Sequence, residues 1–381
     1  FIKYAFDLVD SKDIQISGCE FSNIQAIAIR DSQNIKVEKS SIIDSPGYGI
    51  ILGPGNKNIK IEYSIFRNNY GSGIVVMEDN LNTVINNNHI SGGTGSSNWH
   101  AGILVTDRKS TDMDIFGSND FILNKNPHGP GRIVEITKRS SPKYTYILNN
   151  KIDSNLSSGI YLDGAYLTML AYNHVSNNSK EGICVDNGST LNLVYSNTVN
   201  FNGDRWGKSD FILKKDFSLN DGRMNDGTAK RKIPGISIDN AIYNFVLSNI
   251  ISNNYGSGIK MVRTSFYNVI GKNSVSNNNL GKNELHKFFG IEIGGAKADV
   301  VLKDLDFENS MSNVIYSNSI TGNHYAGIFF CEGCNHNDVF DNIITHSDLW
   351  GIEQVSKSNI NYFLTNFSTN KSRNDSLNGT L

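Results

Sequence analysis

A Gly-Ile element that keeps returning constrains this chain more than anything else in it. It reads GYGIIL from residue 47, GSGIVV from 71, HAGILV from 100, SSGIYL from 157, EGICV from 181, PGISI from 234, GSGIKM from 256, FGIEI from 289, AGIFF from 326 and WGIEQ from 350. GRIVEI from 131 reads as a degenerate copy, and AIAIRDS from 26 as an earlier one without the glycine. The steps between glycines include 24 and 23 residues, and the longer steps fit loop insertions into a repeat of that size. Self-similarity at this period means a solenoid, in which each repeat buries its apolar face only by stacking on its neighbours.

What lies between the glycines decides which solenoid. A second short piece ends in Asn followed within two residues by Ile or Val, as in NNNHI from 86, LNNKI from 148, AYNHV from 171 and LSNII from 247, and polar turns such as SNN follow it. Short β-branched runs of period two, bounded by Asn, Ser and Gly, are strands and turns. Leucines at the fixed offsets of a leucine-rich repeat are missing, and no amphipathic helix fits so short a unit. Each repeat therefore adds one rung to parallel sheets, with strands about 4.8 Å apart up the stack. Isoleucines such as Ile50, Ile103 and Ile160 form an inner column, and Asn88, Asn150, Asn173, Asn197, Asn249, Asn273, Asn318 and Asn342 form another. Buried amides at a bend can satisfy one another from rung to rung, so the asparagine column is read as structural.

This coil resembles the right-handed parallel β-helix, the superfold of pectate lyases, polygalacturonases, alginate epimerases and phage tailspikes. The resemblance implies an all-β, single-stranded parallel β-helix of about 12 coils over residues 1–365, with an inserted loop at 202–232 and a C-terminal tail at 366–381. It implies little about the reaction, because one superfold hosts many functions.

Composition narrows the partners. A formal net charge of -2 creates no field that calls for nucleic acid. No apolar run approaches the length of a membrane span, so neither partner is expected. The chain opens at Phe1 already in patterned sequence, the expectation for a processed or trimmed chain. Cys331 and Cys334 make a single C-x-x-C with His336 behind it, half of a zinc site at most, and a local disulfide or two free thiols is the reading taken. Cys19 and Cys184 have no evident partner, and no metal is expected.

Function is sought on the outward side of the Gly-Ile strands, where stacked side chains make a long shallow trough suited to an extended polymer. Asp163, Asp186 and Asp239 fall four residues after their glycines, in one outward column on successive rungs. Like charges about 5 Å apart raise one another's pKa. For glycoside hydrolysis, Asp186, flanked on both sides, is expected to carry the proton as general acid, and Asp163 and Asp239 to activate water. Lys260 and Arg263 would hold a substrate hydroxyl or carboxylate; Tyr161, Glu135 and Glu292 sit in the neighbouring column and join the expected binding set. The insertion brings Arg205 and Trp206 beside the aspartates, and Trp206 either stacks on a sugar or packs its own loop.

The order YLDG, VDNG, SIDN and GIKMVR resembles the layout of polygalacturonases, although Gly-His-Gly and the Asp-Asp pair are absent and Lys precedes Arg. Only the layout is shared. A uronate lyase or C5-epimerase is the alternative, with Lys260, Arg263 and Tyr161 supplying the chemistry and the aspartates holding calcium. A non-catalytic glycan-binding spike or adhesin is the third reading, since aspartates in D-G, D-N-G and D-N-A are also ordinary turn formers. Both roles of the aspartates stay open at this level. The expectation is an extracellular chain acting on a polysaccharide, at a cell surface, in a periplasm or on a phage particle, as monomer or homotrimer.

Overall fold

A computed structural model describes residues 4–95, 100–107, 141–204, 233–278, 280, 289–294, 310–331, 334–354 and 361–369. Among them the chain winds into three parallel sheets of 12 strands each. Every coil contributes one short strand to the first sheet, one to the second and one to the third before returning to the first. This is the parallel β-helix of about 12 coils that the repeat requires.

Two kinds of inward column fill the coil. Ile50, Ile74, Ile103, Ile160, Ile183 and Ile236 lie directly above one another in the first sheet and are fully buried. Each such side chain removed from water contributes roughly 1.5–3 kcal/mol, so the stack is the main source of stability. The preceding glycines are set by close approach. A Cβ at Gly159 would lie 2.4 Å from Val175 Cγ1 and 2.7 Å from the carbonyl oxygen of Gly182.

The second kind is polar. Asn173, Asn197 and Asn249 line the bend between the second and third sheets, and the ladder continues to Asn366. At Asn197 the backbone N–H donates to Asn249 Oδ1 at 2.9 Å, and Nδ2 donates to Leu170 O at 2.9 Å. Its own Oδ1 accepts from both the backbone and the side chain of Asn173 at 2.9 Å. Two further ladders, not anticipated from the sequence, line the other bends. One runs through Asn192, Asn244, Asn268, Asn313 and Asn337; the other through Asn155, Asn178, Asn202, Asn254 and Asn278. A tight bend leaves backbone groups without sheet partners, and a short side-chain amide supplies them.

Three boundaries differ from those expected. The degenerate copy at 131–136, which carried Glu135, is not a rung of the first sheet: Ile103 pairs directly with Ile160, and Thr106 with Asp163. The second and third strands of that coil begin only at Lys143 and Lys151. Asn202, expected as the first residue of the inserted loop, belongs to a ladder of the coil. Phe367–Ser368 pairs with the third sheet, beyond the expected limit at residue 365.

Asn197→Leu should cost about 3 kcal/mol, because it strands the backbone N–H of Asn173 and the carbonyl of Leu170 and leaves Asn249 Oδ1 with one donor fewer. Urea denaturation checks this, with the exposed His174→Ala as the control near zero.

Candidate active site on the first sheet

Strands Ile160–Asp163, Ile183–Asp186 and Ile236–Asp239 are adjacent and in register, so Asp163 pairs with Asp186 and Asp186 with Asp239. Because Ile160 and Leu162 point into the core, the aspartates leave the coil on its outer face. The structure thus brings the three acids into one column, and their surroundings then separate them.

Asp163 is only 1% exposed. It accepts from Thr106 Oγ1 at 2.7 Å and from Asn187 Nδ2, which holds it in place and shuts it away from any substrate. Burial therefore contradicts the expectation that Asp163 activates water. Asp239 is half-buried and takes a two-pronged ion pair from Arg263 Nε and Nη2. The same guanidinium lies 3.7 Å from Asp186 Oδ1, so one cation touches two carboxyls.

Asp186 sits between them, with its side chain 9% exposed. Its Oδ1 accepts the backbone N–H of Asn187 at 2.7 Å, the turn-forming bond allowed by D-N-G, and its Oδ2 accepts from the Tyr161 hydroxyl at 3.0 Å. Burial first, and then the charge of Asp239, lift its pKa from 3.8 to about 8; Arg263 opposes this and Asp163 adds to it. Asp186 is therefore a carboxylic acid at neutral pH. Burial also drives the Tyr161 hydroxyl and the Cys184 thiol well above their usual ranges, so both stay protonated. Burial pulls the Arg263 pKa down, but its bonds to Asp239 outweigh this and the net shift is upward.

The remaining expected residues divide. Lys260 and Glu292 face each other on adjacent rungs and form an ion pair at 2.8 Å, while Glu292 also accepts from Ser257 Oγ at 2.7 Å. Lys260 is a third exposed, so this pair faces solvent next to Arg263. Tyr161 is 2% exposed and reaches the site only through its hydroxyl, a correction to its expected contact with substrate. Glu135, Arg205 and Trp206 lie outside the described residues.

A further correction concerns the trough itself. Ile51, Val75 and Leu104 leave their strands on the outward side, where the open trough was expected, and are buried there in an outer apolar layer with Tyr48, Met77, Ala101, Tyr161 and Cys184. His100 packs against Tyr48 and Tyr70, and burial, with Lys180 nearby, lowers its pKa to about 4. A row of outward aliphatic side chains needs such a cover, and that was the available signal. From Ile51 to Asp163 the outer face of the first sheet is closed; Asp186 lies at the edge of that cover, and on the rungs beyond it Asp239, Arg263, Lys260 and Glu292 reach solvent.

Thr106 and Asn187 are contributors that motif reading passed over. No group of three or more His, Cys, Asp or Glu able to hold a metal ion occurs among the described residues. The donors on Asp163 and the guanidinium on Asp239 already occupy the oxygens a calcium would need, so the aspartates do not fit that ion. Cys331 and Cys334 are not joined by a disulfide, and their Sγ atoms lie 2.8 Å apart.

A carboxyl whose pKa is higher in the folded chain than in the unfolded one stabilises the fold at low pH and loses that contribution as pH rises. Stability should therefore fall between pH 4 and about 8, and Asp186→Asn should flatten this slope and exceed the wild type in stability at pH 8. Thermal melts across that range provide the measurement.

Comparison with known proteins agrees with the architecture. No curated protein sequence matches the chain. Among solved structures, it is similar to the A-module of a mannuronan C-5 epimerase from Azotobacter vinelandii, at 11% identity and a TM-score of 0.58, with 98% of this chain and 80% of that one covered. A periplasmic alginate epimerase follows at 13% identity and a TM-score of 0.53, over 94% of this chain and 76% of that one. At such identities the likeness is one of fold. A family model described as a right handed beta helix region matches residues 3–126 and 133–304, and the chain belongs to that family.

Proposed function

We propose that the chain is a polysaccharide-cleaving enzyme that works outside the cytoplasm, binds an extended glycan along the rungs above Asp186 and hydrolyses it. The observation that carries this reading is one buried carboxyl whose pKa is lifted to about 8, one rung from a second that is paired with Arg263. Asp186 gives its proton to the glycosidic oxygen as the bond from that oxygen to the sugar's anomeric carbon breaks. Asp239 faces the positive charge that develops on that carbon. Carboxyls one rung apart stand about 5 Å from each other, the separation at which the second attacks the carbon and water later releases the sugar with its configuration retained. Lys260 and Glu292 offer a donor and an acceptor to neighbouring hydroxyls. Both cationic side chains of the site already face a carboxyl, Lys260 that of Glu292 and Arg263 that of Asp239, which suits a neutral glycan better than a polyanion.

Uronate epimerisation or β-elimination is the second reading, supported by the Tyr161–Asp186 hydrogen bond and by the activity named for the two epimerases of similar fold. Against it, a tyrosine whose hydroxyl is held so firmly protonated is a poor base for a C5 proton, and Arg263 is already occupied by Asp239.

Screening neutral and acidic polysaccharides separates the readings. Hydrolysis yields reducing ends without ultraviolet absorbance, elimination yields absorbing unsaturated ends, epimerisation changes only the uronate composition, and a pure binder does none of these. On the substrate found, Asp186→Asn should lower kcat at least about a hundredfold with little change in KM. Full turnover by that variant would overturn the assignment.

A further inference from the structure

The second sheet carries an outward face that the proposed chemistry does not use. Its middle column runs from Lys60, with Lys36 one rung below, through Tyr146, Met169, Leu193, Phe245 and Val269 to Asp338, with Tyr362 one rung above, every position between Lys60 and Asp338 being apolar. Across the rungs from Tyr146 to Val269 the flanking columns hold no charge either. On one side Tyr243 and Tyr267 stack at 5.0 Å with their rings nearly parallel; on the other stand Leu148, Tyr195 and Leu247. These side chains are open to solvent: Phe245 is 37% exposed and Tyr267 52%.

The dimensions matter. Five rungs by three columns cover about 24 by 20 Å, roughly 500 Å² of continuous apolar face. With the charged rungs at either end it reaches about 800 Å², what one partner of a stable protein complex buries. A flat, largely aliphatic surface is the kind that another flat sheet covers.

We infer that this face binds a second copy of the chain, with the two solenoids antiparallel about a two-fold axis that crosses the sheet at Leu193. Charge decides the orientation. Lys60 lies four rungs below Leu193 and Asp338 four rungs above it, in the same column. Neither has an ion-pair partner among the described residues. The antiparallel two-fold sets Lys60 of each copy against Asp338 of the other, twice over. Any parallel arrangement, including a threefold one along the solenoid axis, sets Lys60 against Lys60 and Asp338 against Asp338.

Sedimentation of the full chain at about 10 μM tests this. The expected result is a dimer that Leu193→Asp converts to monomer. Lys60→Asp should raise the dissociation constant at least about tenfold, and Lys60→Asp combined with Asp338→Lys should restore it. Circular dichroism melts check that Leu193→Asp still folds; where it does not, the charge exchange at the exposed Lys60 and Asp338 decides. A monomeric wild type, a trimer, a dimer indifferent to Leu193→Asp, or a double variant no tighter than the single one would each overturn the inference.

Discussion

Everything in this molecule depends on the rung-to-rung hydrogen bond of a buried asparagine. Apolar columns alone would accept a slip along the chain, since isoleucine stacks on isoleucine in several registers. An amide that must find a backbone N–H below it and another amide above it does not. Three such ladders, one at each bend, pin the coil at three corners. With the corners fixed, the residue four places after each Gly-Ile glycine emerges at the same height and on the same side in coil after coil.

That repetition produces the site, and local chemistry then makes its members unlike one another. Asp163, Asp186 and Asp239 occupy equivalent positions, yet one is sealed by Thr106 and Asn187, one is kept neutral by burial, and one is paired with Arg263. The difference arises from the neighbours at each rung, which are the part of a repeat free to vary. The solenoid supplies spacing, and the exceptions to the repeat supply chemistry.

The architecture was legible because it is written many times over. Ile50, Ile74 and Ile103 say the same thing, and a misread copy such as 131–136 does not change the conclusion. The site was less legible because each of its statements occurs once. Position four placed the aspartates correctly on the outer face, but whether that face was open depended on Tyr48, Met77 and Ala101, which come from other coils. The two missed asparagine ladders had the same spacing as the one that was seen; in one of them asparagines such as Asn178 and Asn254 sit in SNN turns, where asparagine is common for other reasons. The ion pair of Lys260 with Glu292 was implicit in their shared column and needed only the register of two adjacent strands.

The stacking of the acids on consecutive strands has one more consequence. A loop-borne catalytic pair can drift apart by tenths of an ångström through point substitutions, whereas two groups fixed to neighbouring coils change their separation only by whole repeats. Gain of a single 23- or 24-residue unit between Asp186 and Asp239 would carry the pair from the spacing of one stereochemical outcome to that of the other, about 10 Å, with the core undisturbed. In such a scaffold the choice of mechanism is quantised, and copying or deleting a segment is the step that crosses between the two.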